Sequence, residues 1–551
     1  MPMLKSLKSV FSSESRARTA HLVVGFVSIG AIFWYLQFST RAICCGDFDG
    51  YYHARWSRML WEGMRSGHFP PKFTSLPLTT LNPEDYVDHH LLFHILQIPF
   101  TWFGDLRLGA KVGAWLFSVL GVFACYWLVV RYHLRYTSVW LIALFACSNV
   151  FLYRISMTKA MSVSLVLMIA GIHILFKRKY VWLLPLAFFY VWTYSLWVML
   201  GAAALIWVGV LWWSERRFEW RAVAWTSLGA ALGFIVNPYF PENVVLFYEH
   251  VLIKVTAGGF STNVGGEWYP YDTWEFLNNC LVAFAAMLVG YFAFRGTDKK
   301  RAARPLFFLV FSTILLIANA RSRRWSEYWP PFAVLFAAFA LQPLFDRSLN
   351  ALRLNLGHAL PMSAADVARG SATYAKSASA VRRLRHFFWP GRRRVALAAV
   401  VLALSACAFS NISITAKDIQ QSAAPEQYQA AMDWVRGHVP KDELIFNTSW
   451  DHYPKIFFYN TNNNYTSGLD PTYLLDENPE LSRLYDQITL GEVKNPGPLI
   501  RERFGARYVF TDGKKTNARF YHNAIESRWF EEVYDDQYCT VLRVADRPTS
   551  P

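Results

Sequence analysis

The chain has 551 residues, 54% of them hydrophobic, with 23 Trp, 28 Tyr and 43 Phe and a formal net charge of +16. Long uncharged runs carry much of the apolar content, which excludes an ordinary soluble chain; runs of about 17 to 25 apolar residues are long enough to cross a bilayer as helices. The basic residues fall in short loops between these runs, so the charge reads as membrane orientation and not as a nucleic-acid surface.

In chain order, the basic segment 1–19 leads into an apolar run with no small-residue cleavage site, read as a signal anchor and first span. About eleven spans are expected: 20–40, 107–130, 137–153, 160–176, 180–194, 197–213, 222–238, 280–294, 305–320, 329–345 and 395–413. Segments 1–19, 131–136, 177–179, 214–221, 295–304 and 346–394 are rich in Lys and Arg and fall on one side by span counting. This predicts a multi-pass protein with a cytoplasmic N-terminus and an extracytoplasmic C-terminus. The expected organisation is a transmembrane domain, 1–413, followed by an outer α/β domain, 414–551.

The transmembrane domain carries outer loops 41–106 and 239–279 and a cytoplasmic loop, 346–394, polar and rich in Ala, Ser and Arg. Within the first outer loop, 91–103 with Pro99 reads as an interfacial helix; a span there would invert every later loop. In the terminal domain, ELIFN, RYVFTD and CTVLRV read as strands, and 425–437, 453–459, 478–488 and 498–504 as helices. The seven cysteines show neither disulfide-framework nor metal spacing, and the adjacent Cys44 and Cys45 are not expected to bridge each other.

Two short outer loops break the charge rule. One carries Arg154 and Lys159, the other Arg321, Arg323 and Arg324. Cations placed against the topology rule answer an anion or snorkel to headgroups, and arginine's planar fork suits phosphate. Carboxylates face the same side. Asp47 and Asp49, in a short extended segment, would point the same way and hold a divalent cation, or one would serve as a general base. Asp88, followed by His89 and His90 with His94 one turn on, would bind a metal together with one His, or these residues would hydrogen-bond to seat the interfacial helix. Glu267 follows a glycine-rich run that would let a loop close over a substrate. The candidate metal ligands are thus Asp49, Asp47, Glu267 and Asp88, with Mg or Mn as the cation.

These residues, in this order, resemble the GT-C superfamily of membrane glycosyltransferases, and within it the catalytic subunit of oligosaccharyltransferase. Asp49-Gly50-Tyr51 is similar to its first-loop acidic motif. Asn263-Val264-Gly265-Gly266-Glu267-Trp268, with Pro270 and Trp274, is a looser likeness of its fifth-loop glutamate motif. Arg324 and Tyr328 match its Arg-x-x-x-Tyr motif, which contacts the lipid phosphate. Ser449-Trp450-Asp451-His452-Tyr453 follows a buried strand as the family's acceptor-reading motif does. There are departures. Lys159 stands where a second acidic residue is expected after Arg154; a lysine does not bind metal but can meet a phosphate in the metal's place. Ser449 replaces the first tryptophan of the acceptor motif.

The resemblance implies a polytopic α-helical membrane protein of the GT-C fold with an outer α/β domain. It implies an inverting glycosyltransferase that takes a sugar from a polyprenyl phosphate or pyrophosphate carrier at the non-cytoplasmic face. Asp49 and Glu267 would be catalytic; Arg324, Arg154, Lys159, Tyr328, His89, Trp450 and Asp451 would bind substrate. The expected partners are the lipid-linked sugar, membrane lipids and an acceptor protein or glycan, and the expected location is a bacterial plasma membrane. Two other readings stand beside it: an oligosaccharyltransferase acting on protein asparagine, and a transporter of a lipid-linked sugar or anion.

Overall fold

The computed structural model of the chain describes residues 13–46, 48–249, 264–296, 299–357, 390–513 and 517–548. Asp47, Asn263 and most of the segment 346–394 lie outside the described residues. Among the described residues, five helices are long and apolar enough to cross a membrane: Ser15–Phe38, Leu106–Arg131, Ser195–Glu215, Ala302–Arg321 and Arg394–Gln420. Counting two bent pairs as one span each raises the number to seven. Shorter apolar helices lie at Met161–Lys177, Tyr180–Thr193 and Arg221–Ile235. Helix Trp329–Gly357 follows the last site loop.

One segment expected to be a straight span, 137–153, is broken, and a second bend falls at the expected start of span 280–294. Thr137–Ala146 and Asn149–Ser156 meet at 83°, and Thr273–Asn279 and Leu281–Ala293 at 79°. A break frees backbone groups that water cannot reach in a bilayer, so each needs a protein partner. At the first, the Ser148 hydroxyl accepts the Phe151 N–H at 3.2 Å. The second break packs against it: Ala283 N–H donates to the Cys147 carbonyl, and Cys280 Sγ to Ser148 Oγ. Each bend thereby satisfies groups exposed by the other, and together they turn Arg154 and the Glu267 loop towards one end of the bundle.

Close helix approach is built on small residues. Helix Arg221–Ile235 lays Gly229 against the Leu184 carbonyl and Gly233 against Phe188, so a side chain at either position would meet backbone.

Past the first helix, Cys44 and Cys45 are adjacent and buried. Asp49 opens the helix Asp49–Ser66 and does not continue an extended segment. The expected interfacial element is present as helix Leu91–Gln97 running into a 3-10 turn, Ile98–Trp102.

The terminal domain holds a five-stranded mixed sheet: β1 Leu444–Asn447, β2 Asn464–Tyr465, β3 Tyr508–Thr511, β4 Phe530–Asp535 and β5 Thr540–Val544. The strand order is β2-β1-β3-β5-β4. β1 runs parallel to β2 and β3, with Phe446 opposite Val509; β5 runs antiparallel to β3 and β4. The first outer segment and this domain share one apolar core. Trp56, Phe73 and Tyr86 pack in the same cluster as Tyr428, Phe457 and Tyr473. Burying an aromatic side chain is worth about 1.5–3 kcal/mol, so this shared core fixes the helix that carries Asp49 against the outer domain. Backbone bonds from Tyr465 N–H to Ser75 O (2.8 Å) and from Thr80 N–H to Tyr473 O (3.1 Å) set the register of that contact.

Candidate active site

Arg154, Arg324 and Lys159 meet Glu267, Glu327 and Asp49 in one charged cluster. Arg154, at the end of the bent helix Asn149–Ser156, donates from Nε to Glu327 Oε1 at 3.0 Å and from Nη2 to Glu267 Oε2 at 2.7 Å. Its Nη2 also pairs closely with Glu327. Arg324 donates to Glu267 Oε1 at 3.3 Å and to the Tyr194 hydroxyl at 3.1 Å, and its guanidinium lies 4.9 Å over the Trp268 ring. Arg324 Nε is buried with no hydrogen-bond partner among the described residues. Lys159 Nζ lies 2.7 Å from Asp49 Oδ2. Burial acts to raise the Glu267 carboxyl, but Arg154, Arg324 and Lys159 outweigh it and hold the group well below the usual carboxylate range.

Local structure explains why these groups converge. Ser322 caps the 3-10 turn Arg323–Glu327 by accepting the Arg324 N–H. Its hydroxyl donates to the Glu267 carbonyl at 2.8 Å, and Arg323 N–H donates to Tyr269 O at 3.1 Å. The two loops are therefore stitched together through their backbones. The tight turn sends successive side chains in different directions: Glu327 and Arg324 face the network, while Tyr328 enters the helix bundle.

A second polar chain lies beside the first. Asp88 Oδ2 accepts from Trp56 Nε1 at 2.9 Å and from His94 Nδ1 at 2.7 Å, and Oδ1 accepts the His90 N–H. His94 Nε2 lies 2.7 Å from His53 Nδ1. His53 sits one helical turn after Asp49, on the same helix face. Burial alone would raise Asp88, but His94 and the other donors hold it below the usual carboxylate range.

Both networks open on a single cavity of about 190 Å³. Asp49, Arg154, Lys159, Glu267, Arg324 and Glu327 form its charged side. Val191, Leu196, Trp197, Phe234, Leu246 and Phe247 give it an apolar wall, and Asp88, His89 and His90 flank it. Of the expected site residues, Asp49, Glu267, Arg324, Arg154, Lys159, His89 and Asp88 line this cavity. Tyr328 does not: it is fully buried, its hydroxyl 2.7 Å from Ser164 Oγ in the bundle. Trp450 and Asp451 do not line it either. Trp450 lies against Gly265, and Asp451 accepts the Ser449 hydroxyl at the start of the turn. The outer domain contributes Leu469, Asp470 and Tyr473 to the cavity instead. Tyr194 and Glu327 are further lining residues that carry no distinguishing signal in the sequence.

The described residues do not fit a divalent cation. Asp49 is paired with Lys159, Glu267 with two arginines, and both Asp88 oxygens already accept hydrogen bonds. Among the described residues no three His, Cys, Asp or Glu are grouped as a metal site requires.

With this architecture the chain is a multi-pass membrane protein of the GT-C fold. It is similar to the archaeal oligosaccharyltransferase AglB from Archaeoglobus fulgidus, solved in complex with an inhibitory peptide and a dolichol-phosphate. The TM-score is 0.58 at 13% identity, over 97% of this chain and 75% of that one. It is similar to ArnT from Cupriavidus metallidurans bound to undecaprenyl phosphate, with TM-score 0.54 and 13% identity over 96% and 99% of the two chains. It is also similar to the arabinofuranosyltransferase AftD from Mycobacteria, with TM-score 0.51 and 14% identity over 97% of this chain and 42% of that one. No protein-family model matches the chain, and no curated protein matches it in sequence.

Proposed function

We propose that the chain is an inverting glycosyltransferase that moves a sugar or oligosaccharide from a polyprenyl phosphate or pyrophosphate carrier to a hydroxyl acceptor at the non-cytoplasmic membrane face. The observation that carries this reading is the junction, in one cavity, of three cations with an apolar wall. A lipid-linked phosphate is a ligand that needs both at once. The carrier's first isoprene units would lie along Trp197, Phe234 and Phe247, and its phosphate would meet Arg324. That guanidinium holds a donor with no partner among the described residues. Charge develops on the phosphate as the anomeric bond breaks, and preorganised cations stabilise that state. Attack from the face opposite the leaving group inverts the anomeric carbon. Glu267, held ionised by its arginines, would keep those cations aimed at the phosphate until substrate competes for them.

A peptide acceptor finds less support. Trp450 and Asp451, the residues matched to sequon reading, lie outside the cavity. A transporter finds less as well, because coupling charges in transporters lie near the bilayer midplane within broken helices, whereas most of these sit in the segments between helices. The test uses purified protein and a radiolabelled lipid-linked sugar. Arg324→Ala should reduce transfer at least about 100-fold, the scale of losing one preorganised electrostatic contact. Full transfer by that variant would overturn the assignment.

A further inference from the structure

The ion-paired Asp49 is a poor candidate for removing the acceptor proton. Lys159 lies 2.7 Å from it, and a cation at that distance stabilises the carboxylate and lowers its basicity. The cavity holds a different group with the geometry of a base. With the His94 ring neutral, the ionised Asp88 accepts its Nδ1 proton and its Nε2 is bare. His94 Nε2 then accepts the His53 Nδ1 proton at 2.7 Å, and this fixes the lone pair of His53 on Nε2. That nitrogen has no partner among the described residues, on a side chain that lines the cavity one helical turn from Asp49.

We propose that His53 is the base that takes the acceptor's hydroxyl proton, with His94 and Asp88 as positioning residues behind it. This rests on the glycosyl-transfer reading above. The acceptor oxygen forms its bond to the anomeric carbon as the bond from that carbon to the phosphate oxygen breaks. The electron pair of the broken bond leaves on the phosphate, facing Arg324, and the hydroxyl proton goes to His53 Nε2. The resulting imidazolium still donates through Nδ1 to His94, and the Asp88 carboxylate balances the charge through that ring. The proton then leaves with the departing phosphate or to water, which restores the neutral ring.

The surroundings keep His53 in its proton-accepting form. Its ring meets His90, His94, Phe93 and Tyr52, with the charge of Lys159 and the ring of His89 nearby and Asp49 on its own helix. Burial first, then the charge of Lys159, pushes it well below the ordinary histidine value of 6.5. Transfer should therefore be insensitive to pH through neutrality and fall only below that value.

The experiment uses the purified full-length chain, undecaprenyl-phosphate and undecaprenyl-pyrophosphate hexoses labelled in the sugar, and alkyl glycosides as hydroxyl acceptors. His53→Gln should lower kcat roughly 100- to 10,000-fold, the range of general-base loss, with donor KM changed by less than about threefold. Imidazole should restore some of the activity of His53→Ala. His94→Asn, which keeps the base and removes its support, should lose roughly tenfold and shift the acidic limb. If the wild type transfers from none of these donors, the glycosyl-transfer reading falls. If the wild type transfers while His53→Gln, or His94→Asn where the first variant does not fold, keeps the wild-type kcat and pH profile, the base assignment alone is overturned.

Discussion

Arg154 is the group on which the site's architecture turns, and its removal has a calculable cost. Its guanidinium binds Glu327 through Nε and Nη2 and Glu267 through Nη2. Glu327 is 1% exposed, and without Arg154 it keeps the Tyr194 hydroxyl, at 3.2 Å, as a donor. Arg154→Ala therefore leaves a buried carboxylate without its directly paired cation, a change that costs about 3–5 kcal/mol. Glu327→Gln is milder, because Arg154 keeps Glu267 and the amide oxygen still accepts; about 1–3 kcal/mol is expected. The double change Arg154→Met with Glu327→Leu removes both charges and should be less destabilising than Arg154→Ala alone, since a buried ion pair replaced by apolar residues of similar volume is often neutral. Equilibrium unfolding in mixed micelles, followed by tryptophan fluorescence, gives the three values. The reasoning fails if Arg154→Ala lies within about 0.5 kcal/mol of wild type, or if the double change is at least as destabilising as Arg154→Ala.

Three further outcomes are expected from other regions of the structure. Chelation with EDTA should leave transfer within about twofold, because the described carboxylates are already engaged; a tenfold loss restored by Mg or Mn would refute that. Stability should fall as pH drops below 6.5. His53 and His90 are both pushed well below that value, so the unfolded chain binds protons that the native state refuses, and each buried ring costs about 1.4 kcal/mol per pH unit in that window. A further loss is expected below 4.5, where the unfolded chain protonates Glu267 and the native state still holds it ionised. A thermal midpoint that stays flat from pH 7 to 5.5 would contradict the histidine contribution. Gly229→Val should destabilise by about 1–3 kcal/mol, since its side chain would meet the Leu184 carbonyl and push the packed helices apart; unchanged unfolding would mean the helices are not in contact there.

What was legible in the sequence, and what was not, divides along a physical line. Apolar runs and interleaved basic loops announce helices, because hydrophobic length and charge are local properties. Each segment read as a span has a helix in the structure, and among the described residues five are unbroken spans by length and composition. The break at Ser148 escaped, because what makes it tolerable includes a hydrogen bond from Cys280, 132 residues away. In the outer domain three strands were visible as buried apolar runs. β2, only two residues long, and β4, with its exposed Glu531 and Glu532, carry no such signal. The site divides in the same way.

Misplaced cations and lone carboxylates draw attention one at a time, and Asp49, Arg154, Lys159, Glu267 and Arg324 do line the same cavity. Their pairing was not legible. Lys159 reads as a phosphate ligand on charge alone, yet it lies against Asp49 and changes what that carboxylate can do. Glu327 stands inside the Arg324-to-Tyr328 motif, where the tyrosine is the more conspicuous residue, and only the 3-10 turn decides which of the two faces the cavity. His53 is the sharpest case. As a residue in a helix it is an ordinary histidine four positions after an aspartate. Its chemistry comes from His94, 41 residues on, and from the carboxylate behind that ring. Composition and spacing locate groups that can ionise; the partners supplied by distant segments determine whether each becomes a base, a clamp or a counter-ion. In this cavity that distinction moves proton transfer from the ion-paired carboxylate to the neutral imidazole beside it.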